Sequence, residues 1–501
     1  MKRYVLAHDL GTSGNKATLF DENGILVASA TSGYKTKIFN GNWAEQNPAD
    51  WWDSVCRSSR EVLAGIDASE LGVVAFSGQM MACLCIDTEG RPLHDAMIYS
   101  DQRSVVQESQ IIERIGIERF YRITGHRPSS SYTLEKLMWL RDHYPDVYSS
   151  TFKVVQAKDY MNFLLTGEIY TDFNDASGTN AFDLENRCWS EEILEAGNIP
   201  LKLFPEAVAS TTIIGKVHSG ASRQTGIPVG TPVVAGAGDG GCATIGAGSV
   251  SEGKAYCYMG SSSWISVTSS LPVFADDLST FTWAHPIEGL YHPCGTTQTA
   301  GTAFNWFTEV MKGDTQYESF LSINNEASLS PPGANGVMFL PYLLGERSPW
   351  WNPIAKAEFV GIDVNTSRGD LARAVIEGVG MNLEISRSKI MGDDNSIPVI
   401  LIGGGAQGSI WRTILADIFQ VRIDVPSLLT EATSMGAALI GGIGSGIYNN
   451  FDLVEKMNPV IESVEPNLHL ADFYSGYRKL FEKTYRCLEP LFAEFKQFHN
   501  N

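Results

Sequence analysis

Three glycine-rich turns and two carboxylates are the parts of this chain whose residue types and spacing suit chemistry. Asp9 to Gly14 reads DLGTSG between two apolar runs. Glycine and small hydroxyl residues let several backbone N–H groups turn toward one anion, which makes a concavity for phosphate oxygens. Asp9 adds a carboxylate that a triphosphate-bound Mg²⁺ would use, directly or through water. A plain hairpin turn is the competing reading of any single turn of this kind. Met259 to Ser263, MGSSS, repeats the pattern in the second half of the chain. Two such hairpins facing one another would grip a triphosphate from both sides. Gly403 to Ala406, GGGA, lies between a strand pattern and a helix pattern. Absent side chains there permit close approach of a flat ring or ribose, with a helix N-terminus behind it.

Asp239 closes the apolar run PVVAGAGD and is flanked by Gly238, Gly240 and Gly241. A carboxylate presented in this way suits phosphoryl transfer to an alcohol, where one group accepts the hydroxyl proton. A helix-capping Asp on the following small-residue segment is the equally weighted alternative.

The elements that must position these groups follow from period and punctuation. Tyr4–Asp9, Lys16–Phe20 and Ile25–Ala30 read as strands separated by glycine-containing turns. A helix follows, capped by Asn47 with Pro48 in its first turn, and Trp51, Val55, Val62 and Leu63 form its inward stripe. Residues 71–87 give two strands split at Ser77–Gly78–Gln79, and Leu134–Asp142 and Lys158–Leu165 read as helices. Pro232–Asp239 reads as one strand, followed by the small-residue run Gly240–Gly248. The second half opens as the first did: strand Lys254–Gly260, turn Gly260–Ser263, strand Trp264–Thr268. Pro398–Ile402 is a strand, and Ile410, Trp411, Ile414, Leu415 and Ile418 stripe the helix after GGGA. A fold-level internal repeat explains the matching openings. The expected boundary lies near Ser249–Gly253, giving domains 1–250 and 251–501.

Size and charge narrow the function. At 501 residues the chain suits two lobes of roughly 250 residues each. The net charge of -20, with no basic stripe, excludes nucleic acid and anionic membrane as partners. The eight cysteines include no CxxC pair, and Cys83 and Cys85 read as strand packing. No run approaches the ~20 apolar residues of a membrane span, and no signal-length run opens the chain. The expectation is a cytoplasmic protein. The oligomeric state is open, with a homodimer among the options.

Taken in order, DLGTSG, AGAGDG, GSSS and GGGA resemble the motifs of the FGGY carbohydrate kinases. Ser131–His143 looks like the family's first long signature and Ala357–Glu377 like its second. The resemblance covers roughly residues 3–445. WAEQNP at Trp43–Pro48, SGQM at Ser77–Met80, SDQR at Ser100–Arg103 and LLGERSPWWNP at Leu343–Pro353 make it most like the xylulokinases. It implies an α/β fold of two actin-like (ribonuclease H-like) lobes, with ATP and sugar in the cleft between them. It places Asp239 at the family's proton acceptor, and Asp9 and Asp239 beside Mg²⁺. Asp9, Gly11, Thr12, Ser13 and Lys16 fall at the first phosphate loop, Gly260, Ser261 and Ser262 at the second. Gly404, Gly405 and Ala406 stand where adenosine is held. Gln79, Met80, Met81, Asp101, Arg103, Asp239 and Gly240 are the implied substrate contacts. The implied reaction is ATP-dependent phosphorylation of a terminal hydroxyl of a ketopentose.

Two positions depart from the xylulokinase pattern. Met81 stands where a His is expected after Met80, and Gly240 where an Asn is expected after the acid. Together they remove an imidazole and an amide from beside the sugar, and buried polar contacts of this kind decide specificity. Asp101, Arg103 or Trp43 would take over the contacts, and an acid substrate would call on Arg103 or Arg347. Another ketose, a polyol or a gluconate-like acid is therefore the alternative acceptor. A non-enzymatic actin-like nucleotide switch is the alternative from another class. His8 is read as strand packing.

Overall fold

A computed structural model describes residues 2–311, 316–392 and 394–499. Each half is built on a seven-stranded sheet, and the two sheets share an inner order. In the first, Leu26–Gly33, Gly14–Phe20, Tyr4–Leu10, Leu71–Gly78, Pro232–Val234 and Ile213–Lys216 lie side by side, with Ala237–Gly238 also on Leu71–Gly78. In the second the order is Phe281–Ala284, Tyr291–Thr297, Ser263–Val267, Ala255–Met259, Val399–Ile402, Ile423–Pro426 and Val460–Val464. Each has an antiparallel three-strand meander whose first strand runs parallel to the next two. Each ends on an antiparallel edge strand. The fold is α/β with two actin-like lobes.

Parallel neighbours require crossovers, and helices supply them. Pro48–Leu63 carries the chain from the first meander to Leu71–Gly78. Asn47 caps it by accepting from the Ala49 N–H, and Trp51, Val55, Val62 and Leu63 are all buried. In the second half the 24-residue helix Arg368–Met391 makes the equivalent crossing, opened by a Ser367–Asp370 capping box.

The halves are stitched by two helices. Asp239–Gly246 crosses Ala432–Gly444, which lies against Tyr4–Leu10 and Leu71–Gly78 of the first sheet. Glycine makes this approach possible. A Cβ at Gly246 would sit 1.8 Å from the Ala432 carbonyl oxygen, and one at Gly436 1.9 Å from that of Cys242.

One expected element differs. The run Pro232–Asp239 is not one strand but two short ones, Pro232–Val234 and Ala237–Gly238, and Asp239 opens a helix. Gly236 breaks the run with φ 76°, where a Cβ would meet the Phe76 carbonyl oxygen at 2.1 Å. Cys83 and Cys85 are free and share a buried cluster. His8 stacks on Phe76 at 4.8 Å and meets Asn15 and Ser59, and burial pushes its imidazole down to about 3. Among the described residues no helix is long and apolar enough to cross a membrane.

Candidate active site

The first glycine turn is tightly held from below. Its N–H of Gly11 donates to the Gly14 carbonyl at 3.0 Å, closing the hairpin. The Gln46 amide donates to the Thr12 carbonyl and to Thr36 Oγ1, both at 2.7 Å. Gln46 Oε1 in turn accepts from Trp51 Nε1 at 2.8 Å and from Gln79 Nε2 at 2.7 Å. Tyr34 OH donates to the Gly11 carbonyl. The hydroxyls of Thr12 and Ser13 make no hydrogen bond among the described residues. Lys16 sits opposite Asp9 across the hairpin and reaches Glu431 of the second half at 3.3 Å.

The second turn hangs on the start of helix Gly301–Val310, whose Gly301 and Thr302 N–H groups donate to the Gly260 and Ser261 carbonyls at 2.9 and 3.1 Å. The hydroxyls of Ser261 and Ser262 are likewise free of protein partners among the described residues. In GGGA the glycines serve two ends. A Cβ at Gly403 or Gly405 would strike Met259 at 2.5 or 2.3 Å, so those two are needed for packing. A Cβ at Gly404 would meet nothing within 4 Å, and this is the open position. Ala406 is fully buried and faces the core.

Between the hairpins lies a cavity of about 220 Å³. Thr12, Ser262, Ser263, Asp239 and Gly240 line it with Met80 and Met81, so both turns and the acid open into one space. It is small beside the ~300–1,000 Å³ typical of drug-sized sites, which suits a short polyol. Met81 holds a left-handed backbone conformation, φ 65°. The buried Lys136 ammonium pins it, donating to the carbonyls of Met81 (3.0 Å), Ile98 (2.6 Å) and Ser131 (2.6 Å). Lys136 lies inside the first signature and was not singled out from sequence.

Asp239 accepts from the Gly240 N–H at 2.8 Å, and its own backbone N–H also favours the charged form. Burial first, and then the negative charge of Asp9, push its carboxyl up to about 7. Burial also raises Asp9, against Ser77 Oγ (3.1 Å) and Lys16, which stabilise its charge. Two carboxylates that repel one another beside free hydroxyls suit a divalent cation carrying phosphates. Mg²⁺ is usually bound by one or two carboxylates plus phosphate oxygens and water. Among the described residues no group of three His, Cys, Asp or Glu side chains converges as a cation cage, here or elsewhere.

Three residues expected at the substrate do not line the cavity. Asp101 accepts from the Ala44 N–H at 2.7 Å and clasps Arg103 at 2.6–3.0 Å. Arg103 also meets Glu45 at 2.8 Å and lies 3.9 Å over the Trp43 ring. Both are consumed by one another. Gln79 donates to Gln46 Oε1, and Gln46 in turn holds the first turn at the Thr12 carbonyl. The rest of the cavity wall includes Tyr132 of the first signature, Arg347 of the LLGERSPWWNP motif, and Trp283, His292 and Thr296, which no motif marked. Arg347 had been named only as a partner for an acid. Its guanidinium donates to the neutral Gln298 amide at 2.7 and 3.1 Å and forms no ion pair among the described residues.

With this geometry in view, comparison with known proteins is direct. The N-terminal domain of the FGGY family of carbohydrate kinases matches residues 4–246 and its C-terminal domain residues 255–445. The chain belongs to that family and is a carbohydrate kinase. It is 32% identical to a xylulose kinase of Staphylococcus epidermidis, with all of both chains covered. Among solved structures it is similar to a ligand-bound xylulose kinase from Lactobacillus acidophilus, 26% identical with TM-score 0.93, covering 98% of this chain and 99% of that one. A gluconate kinase from the same organism has the same TM-score and coverage at 25% identity. Family membership sets aside the non-enzymatic switch.

Proposed function

We propose that the chain transfers the γ-phosphoryl group of ATP to a terminal hydroxyl of a ketopentose, converting D-xylulose to D-xylulose 5-phosphate. The observation that carries this is Asp239, a poorly compensated carboxylate opening into a small cavity shared with both hydroxyl-rich turns. A base whose affinity for protons lies near neutrality is well matched to taking a hydroxyl proton. As the acceptor oxygen bonds to the γ-phosphorus, its proton passes to Asp239 and the bridging bond to ADP breaks. Thr12 and Ser13 from one lobe and Ser261 and Ser262 from the other would hold the phosphates, with Lys16 adding charge. Gly404 would face adenosine, and Asp9 with Asp239 would hold Mg²⁺. When bound, the metal would neutralise the phosphates and orient them for in-line transfer. Met80, Met81 and Gly240 would face the sugar, and Gln79 would support the first turn. Asp101 and Arg103 are scaffold in this reading. The lobes are taken as residues 1–250 and 251–501. The eight free cysteines suit a reducing cytoplasm.

A second acceptor class is favoured by one observation, the Arg347 guanidinium, which forms no ion pair among the described residues and donates to the Gln298 amide. An aldonic acid would supply that carboxylate, as the likeness to a gluconate kinase also suggests. A coupled ADP-release assay over ketopentoses, polyols and aldonic acids decides between them. The highest kcat/KM is expected for D-xylulose. Turnover of aldonic acids alone would replace the ketopentose reading with the acid one.

A further inference from the structure

The imidazole absent at Met81 has a counterpart on the opposite wall. His292 lies on strand Tyr291–Thr297 of the second half and lines the cavity. Its neighbour is Asn174, fully buried in the short helix Phe173–Ser177 of the first half. Asn174 Oδ1 accepts from the Gly238 N–H at 3.0 Å, the residue just before Asp239. Asn174 Nδ2 lies 2.7 Å from the Ala284 carbonyl oxygen and 3.0 Å from His292 Nε2.

These contacts fix a proton. A backbone N–H can only donate and a carbonyl can only accept, so the two main-chain partners allow one orientation of the amide. Its NH₂ group therefore faces His292, and Nε2 must accept. The proton of the neutral ring then resides on Nδ1. Burial keeps the ring neutral, holding the imidazole well below its ordinary range, with His285 and His126 adding to the effect. Nδ1 has no protein partner among the described residues, yet it is not among the sealed, unpartnered buried atoms. With Nε2 turned to Asn174, Nδ1 is the ring nitrogen left for a ligand in the cavity that His292 lines.

We infer that His292 donates a hydrogen bond from Nδ1 to an oxygen of the acceptor, replacing the imidazole missing at position 81. Asn174 is the positioning residue that sets this tautomer, and by holding Gly238 it also ties the donor to the segment bearing Asp239. The inference rests on the sugar-kinase reading of the same cavity. It makes acceptor recognition a property of both lobes.

The test uses the full chain with D-xylulose and its singly deoxygenated analogues. In the wild type, one analogue should lose about 10- to 100-fold in kcat/KM because it leaves the Nδ1–H unpaired. In His292→Phe the parent sugar should fall by a similar factor, and the penalty for that one analogue should vanish. Asn174→Asp keeps the acceptor for Gly238 but removes the donor to Nε2. It should move the proton to Nε2 and reproduce the kinetic loss. Histidine ¹⁵N spectra of the ligand-free protein should show Nδ1–H for His292 in the wild type and Nε2–H in Asn174→Asp. A penalty that persists for every analogue in His292→Phe, or an Nε2–H tautomer in the wild type, overturns the inference. Failure of the wild type to phosphorylate any sugar would instead sink the kinase reading, and the spectra would still report on the tautomer.

Discussion

Asp101 and Asp239 are both acids of the first half that stand out in the sequence, and the folded chain treats them in opposite ways. Asp101 is fully buried and its charge is answered by the two-pronged Arg103 guanidinium and the Ala44 N–H. The buried Lys158 ammonium is likewise answered, by Asp159, Asp172 and Asp175 at 2.5, 3.0 and 3.3 Å, although three carboxylates share that one cation and burial raises Asp159 and Asp175. Asp239 has the Gly240 N–H and its own, and faces a second carboxylate. Groups that complete themselves inside the fold build it. A carboxylate left incomplete costs stability, and strongly perturbed groups of this kind cluster at functional sites.

That contrast can be broken by experiment. The largest effect expected is on Arg103→Ala, which leaves Asp101 and Glu45 with uncompensated charge. Removing one partner of a buried pair typically costs about 3–5 kcal/mol, to be read by denaturant unfolding. The acceptor KM of the folded enzyme should stay unchanged. A raised KM with little loss of stability would move Asp101 and Arg103 back to the substrate.

Asp239→Asn should act in the other direction on stability. Its carboxyl binds a proton more tightly in the folded chain (about 7) than its ordinary value of 3.8. The folded state therefore holds more protons between those values, and wild-type stability falls as pH rises from about 4 to 7. Removing the charge should make the ligand-free variant more stable than wild type above pH 7, by roughly 1–3 kcal/mol. The gain is smaller than a fully enclosed carboxylate would give, because the Asp239 side chain keeps some solvent. Equal melting temperatures from pH 5 to 8 would mean that Asp239 is compensated after all.

Much of this was legible in the sequence, because turns and crossovers are local. Gly, Ser and Thr at Gly11–Gly14 and Gly260–Ser263 announce hairpins, and Asn47–Pro48 announces a helix. The site is less local. Asp239 was legible by its glycine neighbours, but the break at Gly236 depends on the Phe76 carbonyl of another strand. That Asp101 and Arg103 pair with each other is not visible in the sequence, which does not show that two nearby charges satisfy one another. The far wall of the cavity, with Trp283, His292 and Thr296, is brought in by tertiary packing across the lobes. No spacing signals it.

The central claim is that Asp239 takes the acceptor's proton. The direct measurement is sugar-dependent ADP release by Asp239→Asn beside wild type, with ATP binding followed on the same samples. Loss of the base should lower turnover by about 10²–10⁴-fold while ATP still binds. Turnover close to wild type would contradict the account.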